Sequence, residues 1–191
     1  LMQGKTEEEL QKEAIRDIYR QTGAALNNAA QTNAPQVGSV GGEWMVLGLA
    51  RSGFEIPEAY YQNVAAYVSE HINEKEQLSP RLSTDNSRVI LALTAAGYDV
   101  TDVDGHDLLK GLSDLTFLKK QGINGPIWAL LALDSHAYEI PENDDPSKQT
   151  TREALIATIL AAQLENGGWS LDGNAAVDLT AMALLALAPY A

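Results

Sequence analysis

Eight residues of this chain could bind a ligand or perform acid–base chemistry, and they stand in four groups, each beside the start of an apolar stretch. Carboxylates can act as acid and base, tryptophan rings stack on apolar ligand faces, and backbone N–H groups at helix starts bind polar atoms. Such a set would suit a ligand with polar groups and one apolar face, such as a sugar or a corrinoid. The eight residues are Glu43, Trp44, Asp85, Asn86, Arg88, Asn124, Trp128 and Asp178.

Each of these residues has a simpler explanation when it is taken alone. Asp85, Asn124 and Asp178 are typical of helix N-caps, and the rings of Trp44 and Trp128 are typical of a core. The set is therefore a ligand-binding candidate only as a group, gathered at one end of the molecule.

Catalysis would require two carboxylates from Glu43, Asp85 and Asp178 to face each other across an open cleft, about 5–10 Å apart as in glycosidases. Helix N-termini instead favour ionised, hydrogen-bonded carboxylates. We expect these three side chains to bond to backbone N–H groups or to Arg88, and not to pair with one another.

We predict no metal or cofactor site. The sequence DVDGHD, with Asp102, Asp104, His106 and Asp107, resembles the opening of some calcium loops, but no glutamate follows at the distance that closes such a loop. An acidic surface connector is the better interpretation. The three histidines are not spaced as metal ligands, and the absence of cysteine excludes disulfides and thiolate chemistry.

Composition and net charge limit the classes of partner that this chain is expected to bind. The net charge of −13 disfavours binding to a phosphate backbone, so we expect no nucleic-acid partner. No apolar run is long enough to span a membrane. A length of 191 residues and a hydrophobic content of 45% are typical of one folded domain.

A four-residue apolar word recurs four times, and its last leucines are 44, 40 and 54 residues apart. Five positions after that leucine, the first three copies carry an aromatic residue: Phe54, Tyr98 and Tyr138. This pattern indicates an internal repeat. The word reads VLGL at 46–49, ILAL at 90–93, and LLAL at 130–133 and 184–187.

Each repeat predicts two helices. The helix with the word is apolar nearly all round, which indicates an inner helix, and we expect the small residues Gly48, Ala92, Ala132 and Ala186 at its closest contacts. The outer helices are amphipathic, with Pro57 and Pro141 in first turns, Thr101 as an N-cap, and a loop at 27–42. Four stretches of the sequence predict these outer helices. One is the segment 7–26, and the others are three sets of apolar residues at helical spacing: Tyr61, Val64, Val68 and Ile72; Leu108, Leu112 and Leu115; Leu155, Ile159 and Ala162.

The sequence QLENGGW at 163–169, between two apolar helices, resembles the Gln-Trp motif of squalene and oxidosqualene cyclases. Its logic is a helix ended by glycine, Trp169 buried, and the Gln163 amide bonded to the turn. The repeats at 41–53, 83–97, 123–135 and 178–190 resemble those of prenyltransferase-like toroids in bacterial cell-surface proteins. The resemblance implies an all-α fold, one domain over 1–191 with four αα-hairpins forming part of an α/α toroid, within a longer protein with more repeats or domains.

The chain departs from the chemistry of these families, since it lacks the Asp-x-Asp-Asp acid of the cyclases and the zinc-binding cysteine of the prenyltransferases. We therefore expect a non-catalytic ligand-binding or adhesion module, secreted or at the surface of a bacterium by resemblance. Two alternatives remain open: a carbohydrate-active hydrolase or lyase with a carboxylate pair, and a small-ligand carrier similar to the cobalamin carriers. A terpene cyclase is the least favoured.

Overall fold

The computed structural model describes residues 5–39 and 41–191. Within those ranges it contains eight α-helices and no β-strand, which confirms the all-α prediction. The helices are α1 (Glu7–Thr32), α2 (Glu43–Arg51), α3 (Glu58–His71), α4 (Ser83–Ala96), α5 (Leu115–Leu118), α6 (Asn124–Asp134), α7 (Arg152–Ala161) and α8 (Val177–Leu187).

The four copies of the apolar word lie in α2, α4, α6 and α8, and each of these helices packs against the next. We call them the row helices. Glu43 at the start of α2 contacts Arg88 in the first half of α4, and Thr94 near the end of α4 contacts Tyr138 just after α6. Tyr190, just after α8, donates its hydroxyl to Asp134 at the end of α6 at 2.8 Å. Adjacent row helices therefore run in the same direction.

Three row helices end in the same hydrogen-bonded turn. The backbone N–H of each repeat aromatic donates to the carbonyl of the last leucine of its word, at 3.0 Å for Phe54, 2.9 Å for Tyr98 and 2.8 Å for Tyr138. Such a turn needs a left-handed residue just before the aromatic. Gly53 and Gly97 supply it in two copies, and Ala137, with φ of +49°, supplies it in the third.

The other helices flank the row. α1 packs on α2 and α7 packs on α6, while α3 buries Tyr60, Val64 and Val68 completely. α1 continues to Thr32, so the loop predicted from residue 27 was wrong over its first six positions. Ala30 is buried there, and the helix ends at Thr32, with Asn33 as its C-cap, because Ala34 precedes a proline.

The predicted helix through Leu108, Leu112 and Leu115 was also wrong. This stretch contains two 3₁₀ turns, Lys110–Leu112 and Lys119–Gln121, on either side of the four-residue α5. A Cβ at Gly111 would come within 2.4 Å of Asn86, so the backbone here lies directly against α4. Asp114 then starts α5 afresh by accepting the N–H of Phe117.

Two predicted helix starts were misplaced. Thr101 lies in a turn, where its N–H and hydroxyl both donate to Asp99. Pro141 precedes an irregular loop, and α7 begins only at Arg152, with Thr151 as its N-cap. Pro57 directly precedes α3.

The Gln-Trp turn has two of its three predicted features, but α7 ends at Ala161, before Gln163, and not at a glycine of the turn. The Gln163 amide donates to the Gly167 carbonyl at 2.9 Å, and Gly167 is left-handed with φ of +85°. Trp169 is buried, and its indole N–H donates to the Ile159 carbonyl at 2.7 Å, while its backbone N–H donates to Thr180. The residue therefore joins α7 to α8.

Across the described ranges, none of the helices combines the length and the apolar character needed to cross a membrane.

Candidate functional site

One position of the repeat carries three of the eight candidate residues. Five residues before the last leucine of the word stand Trp44, Arg88, Trp128 and Met182. Because adjacent row helices run in the same direction, residues at one position of the repeat lie at similar heights along the row. The first three of them form what we call the aromatic face.

The two tryptophans of the aromatic face touch each other. The ring centroids of Trp44 and Trp128 are 5.3 Å apart and the ring planes are tilted by 55°. Helices two places apart in a flat row are separated by roughly 16–20 Å. The two side chains therefore reach toward each other across α4, the helix that lies between α2 and α6 in the row.

Arg88, at the same position of the repeat as the tryptophans, is held by two carboxylates. Its Nε donates to Glu43 Oε2 at 3.0 Å, and its Nη2 donates to Asp85 Oδ1 at 3.1 Å. Glu43 is fully buried and also accepts the Gly38 N–H at 3.0 and 3.2 Å. A buried carboxylate needs such partners, since leaving it unpaired would cost several kcal/mol, about 3–5.

The predicted hydrogen bonding of the carboxylates matches this geometry. Glu43 and Asp85 accept from two different nitrogens of one guanidinium, and Asp178 accepts the N–H of Leu179 at 2.8 Å. Glu43 exposes no surface, so it does not face Asp85 across an open cleft.

Asn86 does not belong to a ligand-binding surface, contrary to the prediction. It is fully buried, and its amide accepts the Leu78 N–H and donates to the carbonyls of Glu76 and Leu108. Its polar atoms are therefore used in anchoring two loops to α4. Glu43, by its burial, likewise supports Arg88 instead of reaching a ligand.

Two candidates remain. Asn124 lies on the same helix as Trp128 of the aromatic face, and Asp178 lies at the end of the row. Asn124 is the first residue of α6, four positions before Trp128, and is half-buried. Asp178 is exposed on α8, and the structure records no contact between it and the aromatic face among the described residues. The site therefore comprises Trp44, Trp128, Asp85, Arg88 and Asn124.

The N-cap interpretation of the polar residues was wrong. The residues preceding α4, α6 and α8 are Leu82, Ile123 and Ala176, and none of them caps its helix through a side chain. The start of α4 is capped from a distance, because Gln121 Oε1 accepts the N–H of Thr84 and the hydroxyl of Ser83. Asp85 is thereby left to bind Arg88.

Two tyrosines of α3 lie near the ion pairs that Arg88 forms with Glu43 and Asp85, and they were not identified from the sequence. Burial raises the pKa of Tyr60, and the Glu43 carboxylate raises it further. Burial also raises the pKa of Tyr67, followed by the effect of Asp85. The Tyr60 hydroxyl is buried without a hydrogen-bond partner among the described residues. In the sequence, tyrosines at helical spacing indicate only packing. Placing these two near the site would have required knowledge of the ion pair between Glu43 and Arg88.

Three cavities of the described residues are not lined by the aromatic face. Their volumes are about 690 Å³ between Ile140 and Glu153, 680 Å³ against α1, and 650 Å³ between α5 and α7.

The acidic connector forms bonds of its own. Gly105 donates to Asp102, Ser69 donates to Asp104, and His106 contacts Glu76 at 2.8 Å. Within the ranges that the structure describes, no three acidic or histidine side chains are grouped as metal ligands.

Comparison with known proteins gave no relative. No family model matched the sequence, and neither curated proteins nor solved structures yielded a similar chain.

Proposed function

We propose that this chain is a non-catalytic carbohydrate-binding module that holds a saccharide on the aromatic face. The observation that carries the proposal is the half-exposed indole of Trp44, of which 48% is accessible although it contacts Trp128. Large aromatic rings are normally buried, so an exposed one held in a fixed orientation is suited to stacking on a ligand.

The polar groups beside Trp44 complement a sugar. The Arg88 side chain is 24% exposed and that of Asp85 is 14% exposed. Arg88 uses Nε and one Nη2 hydrogen in its two carboxylate bonds, which leaves guanidinium hydrogens for ligand hydroxyls. Asp85 has a second carboxylate oxygen as an acceptor. A saccharide presents both an apolar ring face and hydroxyls, so it uses both kinds of group.

The helix arrangement supports a further part of the proposal, an α/α toroid-like curve with the row as its inner layer. Its support is that the row helices run in one direction, that flanking helices pack on them, and that the tryptophans of α2 and α6 touch although α4 lies between these helices. The resemblance to surface proteins leads us to propose an exported bacterial protein, in which a concave aromatic face would meet a glycan.

Binding to a panel of neutral oligosaccharides, measured by isothermal titration calorimetry, tests the function. We expect at least one member to bind, and Trp44→Ala to weaken it about tenfold, since one stacking contact contributes about 1.4 kcal/mol. Leu171→Ala is the control, because Leu171 is also exposed but lies outside the site. Equal affinity of the Trp44→Ala variant and the wild type, or no binding across the panel, would overturn the proposal.

A further inference from the structure

Two carboxylates and one guanidinium form a group that begins at the residue before Trp44. Glu43 directly precedes Trp44 in the chain, and its carboxylate accepts the Arg88 Nε at 3.0 Å. Asp85 accepts the Nη2 of the same guanidinium at 3.1 Å. We call these three charged residues the ion-pair group. Because two carboxylates share one guanidinium, the group keeps one negative charge in excess.

The ion-pair group can offer this excess charge to a ligand only through Asp85. Glu43 is fully buried, and both of its oxygens accept the Gly38 N–H in addition to the bond from Arg88. The Asp85 side chain is 14% exposed, and its bond to Arg88 uses only Oδ1. Among the described residues, Oδ2 of Asp85 is therefore an acceptor that a ligand can still use.

The charges around Tyr67 of α3 have the same balance. Burial is the first cause that raises the pKa of this tyrosine, and its charged neighbours act on it as well. Three carboxylates raise the pKa and one guanidinium lowers it, namely those of Asp85, Glu43 and Glu70, and that of Arg88. An anionic ligand would be repelled from such surroundings, as it would be by the net charge of −13 of the whole chain.

A neutral ligand would leave the charge of Asp85 without a new partner. Covering a partly buried carboxylate removes the water that still contacts it, and this costs free energy unless other groups replace that water. An ammonium group supplies both a positive charge and three donors. The same group is attracted to the face of an aromatic ring, most strongly to that of tryptophan. The exposed indole of Trp44 and the free oxygen of Asp85 thus favour one kind of ligand substituent.

We infer that the saccharide held on the aromatic face is an amino sugar with a free, protonated amine. The inference rests on the function proposed above, because the sugar ring must stack on Trp44. Its ammonium group bonds to Oδ2 of Asp85, while Arg88 holds that carboxylate in place through Oδ1. An N-acetylated amino sugar lacks the charge and a uronic acid carries the opposite one, so both bind less tightly.

Isothermal titration calorimetry with four oligosaccharides of one length tests the inference. They are built from glucosamine, N-acetylglucosamine, glucose and galacturonic acid. The titrations are run at about pH 6, where an amine beside electron-withdrawing groups is protonated, as an α-amino group is. We expect the glucosamine oligomer to bind about tenfold more tightly than the glucose oligomer, and the galacturonic acid oligomer to bind most weakly. Added salt should reduce the advantage of the glucosamine oligomer, because it screens a partly exposed ion pair.

Asp85→Asn separates the charge of the site from its stacking surface. This variant should bind the glucosamine and glucose oligomers with equal affinity, whereas Trp44→Ala should weaken the binding of both about tenfold. Glu165→Gln is the control, because it removes a carboxylate from an exposed residue of the Gln-Trp turn and should keep the wild-type preference. Circular dichroism checks that the variants are folded. The N-acetylglucosamine oligomer makes the same comparison on the wild-type chain, since it removes the charge from the ligand instead.

The outcomes distinguish this inference from the proposed function. Equal affinity of the wild type for the glucosamine, N-acetylglucosamine and glucose oligomers would overturn the inference and leave the proposed function in place. So would a preference that Asp85→Asn keeps, or one that Glu165→Gln loses as fully, since the preference would then reflect the acidity of the whole chain. If none of the oligosaccharides bound, or if Trp44→Ala bound them as tightly as the wild type, the proposed function would fail as well.

Discussion

At the residue scale, the turn that ends three of the row helices can be compared between copies of the repeat. Ala137 stands at its left-handed position, where the other two copies have glycine. Gly53 and Gly97 occupy the same left-handed position with φ of +77° and +78°, where glycine has no Cβ to clash. Ala137 adopts φ of +49° there, a conformation that costs an L-residue about 1–2 kcal/mol.

Ala137→Gly should therefore stabilise the protein by about 0.5–1 kcal/mol, because the strain removed exceeds the flexibility that glycine adds to the unfolded chain. Urea denaturation measures the free energy of unfolding. The reciprocal change Gly97→Ala is the matched comparison and should destabilise by about 1–2 kcal/mol. Loss of stability in Ala137→Gly would show that the shared turn does not require a left-handed residue.

The sequence identified the residues of the site better than their roles. Trp44, Arg88 and Trp128 were recognised because they stand near helix starts, and the structure adds that they share one position of the repeat. Asn86 was misassigned, since its bonds go to Glu76, Leu78 and Leu108, two of which lie in a loop ten or fewer residues upstream and one in a loop 22 residues downstream. Local spacing does not reveal such long-range partners.

At the element scale, the apolar row helices could be predicted from the sequence, whereas the short and irregular helical segments could not. The four row helices carry their own signal, an apolar word that recurs. The segment around α5 has apolar residues at helical spacing, yet tertiary packing of Gly111 on Asn86 prevails over the local pattern. α1 is longer than predicted because polar residues such as Asn27 and Asn28 are tolerated in a helix whose buried side carries alanine.

The small residues of the word were expected at close helix contacts, and one of them shows what it contacts. A Cβ on Gly48 would lie 2.9 Å from Leu26 Cδ1, so this position faces the flanking helix α1. Ala92 and Ala132 are fully buried at the same position.

Ala132→Leu should destabilise the protein by about 1–3 kcal/mol, because the added atoms have no space in a packed layer. Ala181→Leu is the control, since Ala181 is exposed on α8 and leucine is a good helix former. Thermal unfolding of both variants measures the difference. Matching stabilities would place Ala132 outside a close-packed contact.

At the scale of the whole molecule, the proposed function depends on a contact between two row helices that are not neighbours. α2 and α6 are not neighbours, yet their tryptophans touch, and this contact forms the surface proposed to bind a saccharide. Repetition of the word predicted a row of helices, but it did not predict this contact, because the contact depends on how all the side chains of the row pack.

The most direct test uses the three tryptophans of the chain as reporters. Each indole N–H gives one signal in a nitrogen–proton correlation spectrum, and Trp169, bonded to Ile159 in the core, is an internal control. On titration with the oligosaccharide that binds most tightly, the account predicts that the Trp44 and Trp128 signals shift together while the Trp169 signal stays in place. A saccharide that shifts neither Trp44 nor Trp128, or shifts Trp169 instead, would contradict it.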